Sequence, residues 1–172
     1  MLCGGISYRG LFLKHSPIFV DDWLESIRSE GDDCRKKMYF TSERYAKFIR
    51  TIVAQIAANE LGDLQNVIFQ DDQDRKQRTQ MALNTVKHVF INRIEPKDYA
   101  AKLADVWPIE NIWGMLKEKL RGHEYSDIAQ LKNYIKNEWK KICVSLCQRM
   151  IDKIPARLKL VIDQGGNQIK EH

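Results

Sequence analysis

Cysteine is scarce in this chain. The four thiols, Cys3, Cys34, Cys143 and Cys147, have the spacing of neither a disulfide framework nor a zinc site. Cys143 and Cys147 stand one helical turn apart, but no His or Cys close in sequence completes a ligand set. Packing thiols in a reducing compartment are therefore expected. Long apolar runs are also missing. None approaches the roughly 18 residues of a membrane span, so no membrane partner is expected. Met1-Leu-Cys-Gly-Gly5 lacks both a basic leader and an apolar core, so a signal peptide is not expected either. There is no internal repeat and no low-complexity tract.

What remains is ordinary for a globular protein: 172 residues, 44% hydrophobic and 30% charged. That length suits one domain, residues 1–172, with a substantial core. The net charge of +5 is unevenly spread. Residues 1–110 carry 16 Lys+Arg against 16 Asp+Glu, whereas residues 111–172 carry 12 against 7. A basic helical half beside an acidic site suits an enzyme that handles DNA, with cations on phosphate and carboxylates on metal. A solvated helical surface is the plainer alternative.

Two acidic stretches stand out. In Asp105-Val-Trp-Pro-Ile-Glu110-Asn-Ile-Trp113, Pro108 suits the first helical position and Glu110 falls near the positive end of the helix dipole. Ile109, Ile112, Trp113, Leu116 and Leu120 follow at helical spacing and predict a buried stripe. Glu110 would then be fixed by a helix whose other face is core, although a dipole-complementing acid needs no further role. The second stretch, Val67-Ile-Phe-Gln-Asp71-Asp72-Gln-Asp74, predicts a short buried strand with carboxylates at its C-terminal end. Sites in α/β proteins gather at such ends. Carboxylates on a strand end and a helix start are the hard oxygen donors that magnesium or manganese takes.

Along the chain, Leu2–Tyr8 predicts a strand, Arg9-Gly10 a turn, and Leu11–Val20 a second strand interrupted near Pro17. Gly4 and Gly5 imply a close backbone approach or a bulge. Asp21 to Lys37 reads as a polar loop, with Asp21, Asp22, Asp32 and Asp33 as solvated acids. Thr41 caps a helix whose buried face is Tyr45, Phe48, Ile49, Ile52, Val53 and Ile56, and Gly62 ends it. Gln77–His88 predicts a helix with Met81, Val86 and Val89 apolar; Val89–Ile94 predicts a strand, broken at Pro96-Lys97-Asp98. Gly122 ends the Glu110 helix and Ser126 opens another, striped by Ile128, Leu131, Ile135, Trp139 and Ile142. A last helical stretch from about Val144 restarts at Pro155 and stops at Gly165-Gly166. Strands interleaved with helices predict an α/β layer fold.

Four segments carry a resemblance to a known family. They are Gly4-Gly-Ile-Ser-Tyr-Arg-Gly10, Val67-Ile-Phe-Gln-Asp-Asp72, Ala101-Lys-Leu-Ala-Asp-Val-Trp-Pro-Ile-Glu-Asn-Ile-Trp-Gly114 and Ile162-Asp-Gln-Gly-Gly166. Together they resemble the DDE catalytic domain of the mariner-superfamily (Tc/mariner) transposases. Positions 73 to 109, thirty-seven residues, separate Asp72 from Glu110, an interval similar to that of one subgroup.

The resemblance implies a ribonuclease H-like fold, a mixed sheet with flanking helices. It implies three carboxylates holding Mg2+ or Mn2+, with Asp72 as the second and Glu110 as the third. Asp71 should point to the other face, and Asp74 lies beyond the strand. Asn111, Trp113 and Lys117 resemble supporting residues, with Trp113 the better fit to a core. Where many relatives have a Pro and a His, this chain has Asp74-Arg-Lys-Gln-Arg-Thr79. There Arg75, Lys76 and Arg78 are candidates to meet phosphate, with a solvated basic turn as the alternative. The family's first Asp lies on a central strand before the segment resembling Leu2–Tyr8. The chain is therefore expected to lack that strand and the helix-turn-helix region, and to be inactive as it stands. DNA is the implied partner, a homodimer an allowed assembly, and the nucleus the implied compartment. The implied ancestral reaction is metal-dependent DNA cleavage and strand transfer. The alternatives are a non-catalytic DNA-binding or interaction module derived from such an enzyme and, more remotely, another metal-dependent phosphohydrolase.

Overall fold

A computed structural model describes residues 1–29, 33, 35–72, 74–95, 97–98, 106–167 and 169. Asp32, Cys34, Pro96 and the segment 101–105 of the long matching block lie outside the described residues. The chain forms two compact units. Residues 1–2 and 19–101 make the first, and residues 3–18 and 102–172 make the second.

In the first unit, α1 runs Val20–Ser26. The sequence pattern predicts a strand end and a loop here, and the structure corrects it. Val20, Trp23 and Leu24 recur at helical spacing and are all buried, and Asp21 and Asp22 occupy the first turn. The acids mask a short amphipathic helix. Next comes a long helix with an irregularity: α2 (Ser42–Phe48), a π turn at Ile49–Val53, and α3 (Ala54–Leu61). Thr41 caps α2 by accepting from the Arg44 N–H at 3.3 Å, and Gly62 ends α3 with a positive φ of 78°. The wider π turn shifts the buried stripe. Tyr45, Phe48, Ile49 and Val53 are buried as expected, but the stripe continues through Ala57, and Ile52 and Ile56 are half-buried. Edge-to-face contacts of Trp23 with Phe40 and Phe48, and of Phe40 with Tyr45, tie α1 to α2.

Strand β5 is short, Ile68–Phe69, and pairs in parallel with β6, Asn92–Arg93. Between them lie a 3₁₀ turn at Arg75–Arg78 and α4, Gln80–Val89, capped by Thr79. Helix α4 buries Ala82, Thr85 and Val86, while Met81 is exposed. The expectation of a buried strand at 67–70 does not hold. Phe69 stacks on Phe90 at 4.3 Å, but Ile68 is 71% exposed. Alternation sends neighbouring side chains to opposite faces, and only the Phe69 face is covered.

In the second unit, β2 (Gly5–Ser7) and β3 (Gly10–Phe12) form the expected hairpin, with Ile6 opposite Leu11. Strands β1 (Leu2–Cys3) and β4 (Ile18–Phe19), each with one residue in either unit, also pair. The second predicted strand stops at Phe12 because Leu13 takes a left-handed conformation, φ 66°. Its carbonyl accepts from Trp139 Nε1 at 2.8 Å, so a buried hydrogen bond holds this unusual backbone in place. The helices are α5 (Pro108–Leu120), α6 (Ile128–Lys140), α7 (Val144–Asp152) and α8 (Ile154–Asp163). Leu11, Ile112, Leu116, Trp139 and Cys147 make one buried cluster, joined by Ile6, Trp113 and Ile142. The α6 stripe is buried at Ile135 and Trp139, but Ile128 at its start is 65% exposed. Gly4 explains itself here. A Cβ on it would lie 2.5 Å from Trp139 Cη2 and 3.2 Å from Trp113 Cη2.

Candidate active site

Asp72 lies three residues past the end of β5 in the first unit. Local sequence brings it there: Phe69 anchors the strand against Phe90, and the chain then turns into the 3₁₀ segment. Asp72 is exposed, whereas Asp71 is largely covered. Asp71 accepts from Arg93 Nη2 at 2.8 and 3.1 Å, and from the Tyr45 hydroxyl at 2.7 Å. It is thus committed to structure, in keeping with the expectation that it turns away from Asp72.

Asp74 caps the 3₁₀ turn by accepting from the Lys76 N–H at 2.9 Å, and its carboxylate meets Lys76 Nζ at 3.2 Å. The backbone N–H of Lys76, and then its ammonium, hold the Asp74 carboxyl below the usual carboxylate range. Of the three basic candidates here, Arg75 and Arg78 are exposed and Lys76 is turned back onto Asp74. A phosphate would have to compete with Asp74 for Lys76.

Glu110 lies in the second unit, in the first turn of α5. Pro108 opens the helix, and the Glu110 N–H donates to the Trp107 carbonyl at 3.1 Å. Ile112 and Leu116 bury the opposite side of the helix, so Glu110 stands exposed on a rigid element. Lys117 follows seven residues on, two turns along the same face and about 10 Å further up the axis. It is exposed as well. Trp113 is core, stacked on Trp139 at 5.4 Å.

The structure therefore groups Asp72 with Arg75, Lys76 and Arg78 in one unit, and Glu110 with Lys117 on one face of α5 in the other. Tyr45 and Arg93 are the polar residues that sequence reasoning missed. Only the register that sets Phe69 beside Arg93 makes Arg93 visible as a partner of the acidic end. Asp72 and Glu110 have the donor chemistry for a hard divalent cation. Among the described residues, however, no three His, Cys, Asp or Glu side chains form a group that could hold a metal. Each unit thus offers one exposed carboxylate of the right donor chemistry. The cysteines add nothing to it. Cys3, Cys143 and Cys147 are free thiols, and burial pushes the Cys147 thiol up.

No family model matches the chain. It is 31% identical over 111 residues to the Tc1 transposase of Caenorhabditis elegans, a match covering 62% of this chain and 40% of that protein. Against the Tcb1 transposase of Caenorhabditis briggsae it is 27% identical over 137 residues, 78% of this chain and 48% of that one. Over these stretches the chain is similar to Tc1/mariner transposases. It spans less than half the length of these two curated relatives. The catalytic domain of the Mos1 transposase, solved with raltegravir and magnesium and also with manganese, superposes with a TM-score of 0.68 in each case. The magnesium structure matches at 14% identity over 77% of this chain and 67% of that one. This likeness shows the fold, the ribonuclease H-like fold of that catalytic domain, built here on short strands.

Proposed function

We propose that this domain serves divalent-metal-dependent cleavage and strand transfer of DNA, with Asp72 and Glu110 as two of the carboxylates that hold Mg2+ or Mn2+. When bound, such ions activate a water or a DNA 3′-hydroxyl as nucleophile and stabilise the leaving oxygen. The observation that carries the reading is the pair of exposed carboxylates on rigid supports, one past β5 and one in the first turn of α5. Relatives named as transposases, and a Mos1 domain solved with magnesium or manganese, support the choice of reaction and ion.

Arg75, Arg78 and Lys117 would neutralise phosphates, and Lys76 would do so on leaving Asp74. We place the activity in the nucleus, where a fluorescent fusion would locate it. A homodimer is the proposed assembly, read by sedimentation.

The test is nicking of supercoiled plasmid by protein expressed from the complete transcript. Nicking should require Mg2+ or Mn2+ and fall at least about 100-fold in Asp72→Asn or Glu110→Gln. No metal-dependent nicking by the wild type would sink the catalytic reading. The excess of cations in residues 111–172 favours the second reading, a non-catalytic DNA-binding module. That module would bind DNA without divalent metal, and its affinity would fall steeply with salt.

A further inference from the structure

Asp71 and Asp72 are neighbours in sequence with opposite surroundings. The Asp71 side chain is 11% exposed and that of its partner Arg93 only 2%. Three elements converge on Asp71: α2 supplies Tyr45, the segment after β5 supplies Asp71 itself, and β6 supplies Arg93. The parallel register pairs Phe69 with Arg93, and the Ile94 N–H donates to the Phe69 carbonyl at 3.0 Å. The strand pairing therefore fixes the backbone from which the guanidinium reaches the acid.

We infer that Arg93 and Tyr45 are positioning residues. By clamping Asp71 they orient the exposed carboxylate of Asp72 toward a divalent cation. The inference rests on the proposed role of Asp72 as a ligand.

The physical argument has two steps. Consecutive side chains leaving a strand point to opposite sides, so holding Asp71 inward turns Asp72 outward. The clamp is also hard to undo. An Asp71 that swung out to replace Asp72 would strand Arg93 as a buried charge with no counter-ion, a costly state. Arg93 Nε is already buried without a hydrogen-bond partner, so the guanidinium has no slack to lose Asp71 as well. Charge gives a further reason for the division of labour. Two adjacent carboxylates of equal exposure would compete for one ion, whereas Asp71 is neutralised by Arg93 and leaves the site to Asp72.

The experiment uses the full chain with two readouts. Backbone amide hydrogen exchange at Asp72, by NMR without metal, reports how firmly the segment is held. Electron paramagnetic resonance of free Mn2+ reports affinity. The principal variant is the double substitution Asp71→Leu with Arg93→Met, which removes the clamp without leaving a buried charge. It should exchange at Asp72 about tenfold faster and bind Mn2+ about 10–100-fold more weakly. Arg93→Lys, which keeps the charge but not the fork, should fall between it and wild type. Asp72→Asn should lose Mn2+ while Asp71 exchanges as before.

Wild-type exchange and wild-type Mn2+ affinity in the double variant would overturn the inference. If the wild type itself binds no Mn2+, the metal role of Asp72 fails. The exchange readout alone then decides the clamp: faster exchange upholds it and unchanged exchange overturns it. Should the double variant not fold, Arg93→Lys and Tyr45→Phe carry the same comparison, with smaller losses expected and none overturning the clamp.

Discussion

The unit that carries Glu110 holds its carboxylate by apolar packing, whereas the unit that carries Asp72 relies on a buried polar contact. Glu110 rides on thirteen residues of helix whose other side is pressed into a cluster around Trp139. Asp72 lies beyond a strand of two residues, and its neighbour is held by an arginine twenty-two positions away in sequence. A helix satisfies its own backbone and needs only one covered face to stay in place. So short a strand cannot, and long-range side-chain bonds must fix the residues at its end. The same end, an exposed acid on a firm support, is reached by different physics. The two supports should therefore fail in different ways.

Removing the packing should have the largest effect. Trp139→Ala empties the centre of the second unit's cluster and breaks the bond to Leu13, so a loss of about 4 kcal/mol is expected in urea denaturation. Removing the polar support comes next. Arg93→Met leaves Asp71 buried with only Tyr45, for a loss of about 3 kcal/mol. Adding Asp71→Leu should recover most of that loss, a recovery that Trp139→Ala has no means to show. If the second substitution recovers nothing, the charge is not what makes Arg93 important. Crowding the packed unit is a milder break. Gly4→Ala puts a methyl against the Trp139 ring and should cost about 2 kcal/mol, read as a lower thermal midpoint.

The smallest effect separates the units by pH. The Asp74 carboxyl is held below its ordinary value, so it adds stability above about pH 4, lost as the pH falls through its folded value. The group is 39% exposed, so solvent screening keeps the contribution slight. Urea midpoints tracked from pH 5 to pH 2 should show it, and Asp74→Asn should flatten that part of the profile.

Elements with a long period or a clear cap were readable from the chain. Thr41, Gly62, Pro108 and Gly122 stand where their chemistry put them, and the α5 stripe predicted its buried side at Ile112 and Leu116. Short elements were not. Helix α1 is only seven residues long, and two acids in its first turn outweighed three apolar positions. The π turn could not be foreseen either, because it changes the period on which the stripe was counted. The candidate site divides along the same line. Asp72 and Glu110 were legible because each stands at the end of a recognisable element. Tyr45 and Arg93 were not, because nothing in their neighbourhoods marks them.

By itself, then, the sequence determined the longer helices α5 and α6, the stops and caps at Thr41, Gly62, Pro108 and Gly122, and the family resemblance. Propensity, capping and hydrophobic period act over a few residues and can be read along the chain. Only the tertiary structure decided which acid of the Asp71–Asp72 pair is buried, that Arg93 neutralises it, and that Gly4 leaves room for Trp139. Each of these depends on groups far apart in sequence meeting within a few ångströms, where ionic and steric forces act and sequence distance does not.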